Sequence, residues 1–466
     1  MSKRRIYLDH AGTTALDPRV FSVMLPYFKK EFGNPSNLYS LSRRAKDAID
    51  KSSQTIAGIL NCRPDEIFYT GSATEADNLA IFGVARGSQS RTFGTGAVQS
   101  PTLASKIIVS QIEHKGILAV CDVLEKEACP NDSVGRGFEI VKLPVRKNGL
   151  IDLDEFKKEL NEKTILVSIT YADSETGTIQ PISEISKIIK EFKKSSPLAP
   201  LLAKERGWGE VPYFHTDASQ VAGYMDIDMN KLGVDMMTIS SHKIYGPKGV
   251  GALYVKRGTK ISPIIFGGGQ QGNLRSGTEN VPGIVGFAKA LELIRKESKK
   301  ESARIKKMRD TLEKGIFKSI PKIVLNGHPD KRLPGFLNVS ILDVEGEAML
   351  LYLDELGIMV STGSACNSQS LEPSYILTAL GRPYEHIHGS IRFTLGRENT
   401  IQDIKYVLKH LPKVVQILRN ISPLDVSLNQ RKKISDPRAF VGGQTLHFLR
   451  KNNPPSLKAT ARQAKK

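Results

Sequence analysis

Cysteine is scarce: four residues, Cys62, Cys121, Cys129 and Cys366, in a chain of 466. They form no Cys-x-x-Cys pair and no His/Cys cluster with zinc-ligand spacing, which excludes a structural zinc site of the usual kinds. Scattered single cysteines in so long a chain imply reduced thiols and a cytoplasmic setting, not a disulfide framework. Long apolar runs are also missing. None approaches the roughly 18 residues of a membrane-spanning helix, so no membrane association is expected. The opening, MSKRRIYLDHAGTT, is basic but lacks the apolar core of a secretory signal. Acidic residues are few relative to basic ones, for a net charge of +19. Nearly half of that excess lies in Val426–Lys466, where ten Lys/Arg face one acid, Asp436. Such a tail suits either a solvated, unstructured extension or attraction to tRNA or an acidic protein.

What is present reads as alternation. Short apolar runs at 66–70, 106–110, 164–170, 213–216, 236–240 and 251–255 predict strands. Helical patterns lie between several of them, at 45–60, 115–126 and 182–192. The expected fold class is α/β: a large domain with a mainly parallel, seven-stranded sheet flanked by helices, plus a smaller α+β domain. The large domain is expected over 15–265. The smaller one takes 1–14 and 266–425, with strands at 335–342 and 390–394, and 426–466 form the basic tail. Two stretches, 87–105 and 195–209, read as inserted loops. In open parallel sheets ligands bind beyond the carboxyl ends of the strands, so candidate residues are sought there.

Several stand there. Lys243, in TISSHKIYGPKGVGALYV, follows a strand among hydroxyls and an imidazole, a setting for a Schiff-base lysine. Ser240 and His242 beside it suit a phosphate. Asp217, ending the strand in YFHTDASQ, suits a pyridinium nitrogen, whose protonation makes the ring of pyridoxal phosphate (PLP) an electron sink. In GSATEADNLAI, Ser72 and Glu75 form a capping box, and the backbone at Ala73 and the Thr74 hydroxyl offer an anion site. His114, past the strand in KIIVSQIEH, suits stacking on a flat ring. Each feature alone is more often an ordinary cap, surface lysine or structural histidine. Together, at the strand ends of one sheet, they specify a PLP site. Cys366 sits apart in STGSACNSQSLEPS, among small polar residues where a buried structural thiol would not be placed.

At these residues the sequence resembles a family. YLDHAGTT, GNPSN, GSATEADNLAI, EHKGIL, NGLIDL, HTDASQ, SSHKIYGPKGVGALYV, RSGTENVPGIVG, STGSACNSQSLEPSYIL and SIRFTLGR are similar to stretches of the cysteine desulfurases, NifS/IscS-like group, in the class-V aminotransferase superfamily of fold-type I PLP enzymes. The resemblance spans about 6–424. It implies Lys243 as the cofactor lysine and proton shuttle, Asp217 on the ring nitrogen, His114 on the ring and in catalysis, and Gln220 and Ser174 near the ring oxygen. It implies Ala73, Thr74, Ser240 and His242 around the phosphate, and Thr278 reaching the phosphate of the neighbouring subunit of a homodimer. It places Asn34 and Arg392 on the substrate carboxylate. Cys366 is implied as the thiol that takes sulfur from L-cysteine as a persulfide, for an iron–sulfur scaffold or tRNA-thiolation protein. A selenocysteine or other β-elimination lyase on the same scaffold is the enzymatic alternative. A weakly active scaffold or RNA-associated protein using the basic tail is the other. The sequence departs from the family pattern at Asp173 and Ser174, where two Asn are usual, at His10 in place of Tyr, and at Tyr39 in place of His.

Overall fold

The computed structural model describes residues 5–89, 105–127, 137–195, 212–362 and 373–421. Backbone contacts gather the described residues up to Leu418 into one compact unit. The strands are β1 (Ile6–Tyr7), β2 (Ile67–Thr70), β3 (Ser105–Ser110), β4 (Phe138–Leu143), β5 (Thr164–Ser168), β6 (Tyr213–Asp217), β7 (Met236–Ser240), β8 (Gly251–Val255), β9 (Ile323–Asn326), β10 (Phe336–Ile341), β11 (Ile358–Met359) and β12 (Ser390–Thr394).

Seven of them form one sheet in the order β2-β8-β7-β6-β5-β3-β4. The pairs β7–β6, β6–β5, β5–β3 and β3–β4 are parallel; β8 runs antiparallel to both its neighbours. Strands β5 to β8 are buried along their whole length, as expected of a sheet covered on both faces. One face packs Ile56, Phe156, Ile185 and Phe287 from the covering helices; the other packs Leu79, Val84, Ile117 and Leu124. β4 closes one edge and carries Glu139 and Lys142 outward, a charged edge that discourages strand addition.

The later chain builds a second core. β12, β10 and β9 form an antiparallel sheet, and β1 pairs in parallel with β11. Ile6, Leu8, Leu312, Ile316, Val339, Phe393 and Leu411 meet there. The 39-residue helix Val281–Ser319 contributes to both cores, Phe287 and Leu291 to the first and Ile305 to Ile316 to the second.

Two expected boundaries shift. The helix expected from residue 45 begins at Ser40. The loop expected from Gly87 starts later, because the helix Ala73–Gln89 is held by packing of Gly83 on the backbone at Ser262. The rest of that loop, most of 195–209 and the tail expected over 426–466 lie outside the described residues.

Candidate active site

The site forms where β6 and β7 end and β8 begins. Ser240, the last residue of β7, is paired in register with Gly251. A Cβ on Gly251 would lie 2.8 Å from the carbonyl carbon of Ser72 and 3.1 Å from the amide nitrogen of Ala73. Only glycine lets the start of the helix Ala73–Gln89 press onto β8 beside Ser240. That helix start carries half of the expected capping box: Ser72 Oγ accepts from Glu75 N at 3.1 Å, while Glu75 Oε2 reaches one residue past the cap and accepts from Gly71 N at 2.8 Å. The amides of Ala73 and Thr74 open the helix and have no intrahelical acceptor.

His114 comes to the same end. Its Nδ1 accepts from Gly116 N at 3.1 Å, so it caps the helix Lys115–Lys126 and keeps its proton on Nε2. Thr74 lies against Gly116, where a Cβ would be 3.2 Å from its methyl, and Asn78 Nδ2 clips the carbonyls of Thr74 and Gly116 together. Burial pushes the His114 imidazolium down; the charge of Asp217 opposes this, and those of Lys243 and Lys115 add to it. Asp217 is 8% exposed at the end of β6, with Oδ1 accepting from Ser219 N at 2.8 Å.

Lys243 lies in the turn after β7. Its Nζ donates to the carbonyl oxygens of Ala11 and, at 2.7 Å, of Gly12. Gln220 Nε2 donates to the same Ala11 oxygen at 3.2 Å. His242 is 3.0 Å from Thr13 Oγ1 through Nδ1, and its carbonyl accepts from both Thr14 N and Thr14 Oγ1 at 2.9 Å. Burial, then the charges of Lys243 and Lys248, push His242 down to about 4, so the ring is neutral at pH 7. The N-terminal loop 9–14 is thus the seam on which lysine, glutamine and histidine converge.

The same seam reaches Arg392. Its Nη2 donates to Asp9 Oδ1 at 2.6 Å and its Nη1 to the Ser174 carbonyl at 2.7 Å. Ser174 therefore meets Arg392 through its backbone. Asp173 is turned inward: its two oxygens accept from Glu175 N, Thr176 N, Thr176 Oγ1 and Thr178 N. His10 is pinned by Thr394 O at 2.9 Å and Glu398 Oε2 at 3.1 Å, and Tyr39 is exposed at the start of its helix.

Two residues are not brought in by this chain. Asn34 is exposed, its Oδ1 accepting from Ser36 N in its own turn, and among the described residues no hydrogen bond joins it to Arg392. Thr278 is exposed, although its segment is tied to the helix start by Arg275 and Glu75, Nε to Oε1 2.7 Å. Cys366 lies outside the described residues, but both flanks of its segment are placed. Ser361 exchanges backbone hydrogen bonds with Arg392, and Ser374 Oγ donates to the buried Glu175 at 2.6 Å. Cys366 is five residues from Ser361, a reach of at most about 17 Å. Sequence reasoning missed Asp9 and Glu175, whose partners are 383 and 199 residues away.

Beneath the site lie two further acids. Burial pushes Glu113 up to about 8, and Asp77 well up, with Asp217 adding to both. At pH 7 Glu113 therefore adds little charge beside Asp217. The other described thiols, Cys62 and Cys121, are pushed up to about 12 by burial, which makes them poor nucleophiles. Among the described residues no His/Cys/Asp/Glu group could hold a metal ion, and no helix is long and apolar enough to cross a membrane.

The residues present fit PLP. The Ser240 and Ser219 hydroxyls are buried with no hydrogen-bond partner among the described residues. Such groups are costly unless a ligand satisfies them. Ser240 stands beside the open helix start, where the backbone suits a phosphate.

Comparison with known proteins agrees with this geometry. The model of the class-V aminotransferase family matches residues 6–198 and 203–407. The cysteine desulfurase IscS of Dictyoglomus turgidum is 44% identical, covering 92% of this chain and 100% of its own length. That of Methanosarcina thermophila is also 44% identical, over 90% of this chain and 94% of its own. The solved structure of a NifS-like protein superposes with a TM-score of 0.76 at 32% identity, covering 89% of this chain and 100% of its own.

Proposed function

Because the chain belongs to the class-V aminotransferase family, and within it to the cysteine desulfurases, we infer that it is a PLP-dependent enzyme that converts L-cysteine to L-alanine and leaves a persulfide on Cys366. The observation that carries this reading is the convergence of Lys243 and Gln220 on the Ala11 carbonyl, at the strand ends that also bring Asp217 and the open Ser240 hydroxyl. When bound, the cofactor supplies a carbonyl that captures amines and a ring that accepts electron density from the substrate.

This chain's residues do the rest. Ala73, Thr74 and Ser240 would hold the phosphate, joined by His242, whose neutral ring meets Thr13 through Nδ1. Asp217 holds the ring nitrogen, and His114 covers the ring with Nε2–H as a donor. Gln220 and Ser174 serve the ring oxygen. Lys243 anchors the cofactor. With its Nζ on the Ala11 and Gly12 carbonyls, it would move a proton at the substrate Cα. Arg392 holds the substrate carboxylate as a guanidinium fork, with Asn34 as its second partner. The thiolate of Cys366 attacks the substrate sulfur. The Cβ–S bond breaks, its electron pair stays on Cβ, and protonation gives alanine.

A homodimer belongs to this reading. Phe21, Leu25 and Phe28 are exposed at spacings of four and three along the first two helices, with Phe32 following, and Thr278 is exposed for a neighbouring phosphate. The sulfur acceptor is an iron–sulfur scaffold or a tRNA-thiolation protein, and the basic tail serves contact with it or with tRNA. The setting is cytoplasmic. The separate core around β9, β10 and β12 supports a division into a cofactor-binding part, 15–265, and a second part from 1–14 and 266–425.

The test is an absorbance spectrum before and after L-cysteine, with alanine and sulfide assayed for the wild type and Cys366→Ala. A cofactor band that responds to L-cysteine, with persulfide-dependent products lost in the variant, is expected. Elimination that ignores Cys366 would move the reading to a β-elimination lyase.

A further inference from the structure

Arg392 is held before any substrate arrives. Its side chain is 8% exposed. Nη2 donates to Asp9 Oδ1 at 2.6 Å, Nη1 to the Ser174 carbonyl at 2.7 Å, and Nε is buried without a hydrogen-bond partner among the described residues. Two acceptors on different terminal nitrogens fix the rotation of a planar group. Ser174 supplies a backbone oxygen; Asp9 supplies the only side chain of the two.

Asp9 is itself fixed. Its backbone bridges in parallel to Thr394 on β12, two residues past Arg392. Its carbonyl accepts from the Tyr7 hydroxyl at 2.8 Å. Its other carboxylate oxygen occupies room left by Gly12, where a Cβ would stand 2.5 Å from Oδ2. The following residues, Ala11 and Gly12, are the acceptors of Lys243. One short loop thus sets both the arginine and the lysine.

We propose that Asp9 is a positioning residue that fixes the plane of the Arg392 guanidinium for the carboxylate of the substrate. This rests on the desulfurase reading. Asp9 offsets the charge of a largely buried cation, which would otherwise be costly. The incoming carboxylate then meets an ion pair of little net charge, so its capture depends on the preset geometry of the remaining N–H groups. Without Asp9 the guanidinium gains rotational freedom that substrate binding must remove.

The test compares Asp9→Ala and Asp9→Asn with the wild type in steady-state alanine formation from L-cysteine, with cofactor absorbance and thermal midpoint recorded on each. Asp9→Ala is expected to raise KM about tenfold or more while kcat stays within about threefold. Asp9→Asn keeps an acceptor at Oδ1 and is expected to stay within about threefold of the wild-type KM. An unchanged KM in Asp9→Ala overturns the proposal, as does an equal rise in both variants. A fall in kcat alone, in step with lost cofactor absorbance, overturns it in favour of a structural role. A wild type that forms no alanine from L-cysteine overturns the desulfurase reading instead.

Discussion

Gln220 and Lys243 donate to one acceptor, the carbonyl oxygen of Ala11, which lies 209 and 232 residues before them. A backbone oxygen that receives both an amide and an ammonium cannot be altered by substitution, but its donors can. Lys243→Ala removes the amine that anchors the cofactor and moves the proton at Cα. Lys243 is only partly buried and lies in a turn, so folding is expected to survive. Alanine formation should fall by about 10³-fold or more. A variant with wild-type turnover would remove Lys243 from the mechanism.

The contact between Gly251 and the helix start yields a second prediction. Gly251→Ala places a methyl 2.8 Å from the carbonyl carbon of Ser72. Helix start and strand must separate, at a cost of about 1–3 kcal/mol. The separation opens the phosphate cradle, so cofactor affinity should drop by about tenfold, read by titrating PLP into the apo protein. Equal affinity in the variant would place the phosphate elsewhere.

Asp173 was legible as a departure from the family pattern, but its task was not. Four donors converge on its buried carboxylate within the turn 173–178. Asp173→Ala should cost about 3 kcal/mol, because it strands buried N–H groups. Asp173→Asn, with one acceptor oxygen left, should cost about 1 kcal/mol. Denaturant unfolding measures both. A larger effect on KM than on stability would return Asp173 to the substrate side.

Glu175 gives a pH dependence. Burial pushes it up to about 8, opposed by the Ser374 hydrogen bond and then by the charge of Arg392. A carboxyl raised in the folded state contributes stability that is fully present below its ordinary value near 4.5 and is lost as pH rises through about 8. Glu175→Gln mimics the protonated acid and still accepts from Ser374. The variant is expected to lose less stability than the wild type between pH 5 and pH 8 (about the interval between the two values). Parallel stability curves would show that Glu175 is ionised in the fold.

Much of this was readable beforehand, for physical reasons. β5 to β8 are buried on both faces, so each carries two or more adjacent apolar residues that mark it, as in TILVS, YFHTD, MMTIS and GALYV. β4 escaped because, as an edge strand, it carries Glu139 and Lys142 among its apolar residues. Lys243, Asp217, Ser240 and His114 were legible because each stands at or just past the end of a strand. Asp9 was not, since its meaning depends on Arg392, 383 residues away. Asn34, placed on the substrate carboxylate by family resemblance, closes its own exposed turn in this chain. Nothing local to GNPSN foretells that, because the role depends on what approaches the turn from outside.

The central claim is that sulfur passes from L-cysteine to Cys366. Its most direct test is mass spectrometry of the Cys366 peptide after brief reaction with L-cysteine and thiol capping, with alanine quantified in the same sample. The account predicts one added sulfur atom on Cys366, absent in Lys243→Ala, in step with alanine formed. Alanine or pyruvate formed with no added sulfur on Cys366 would contradict it.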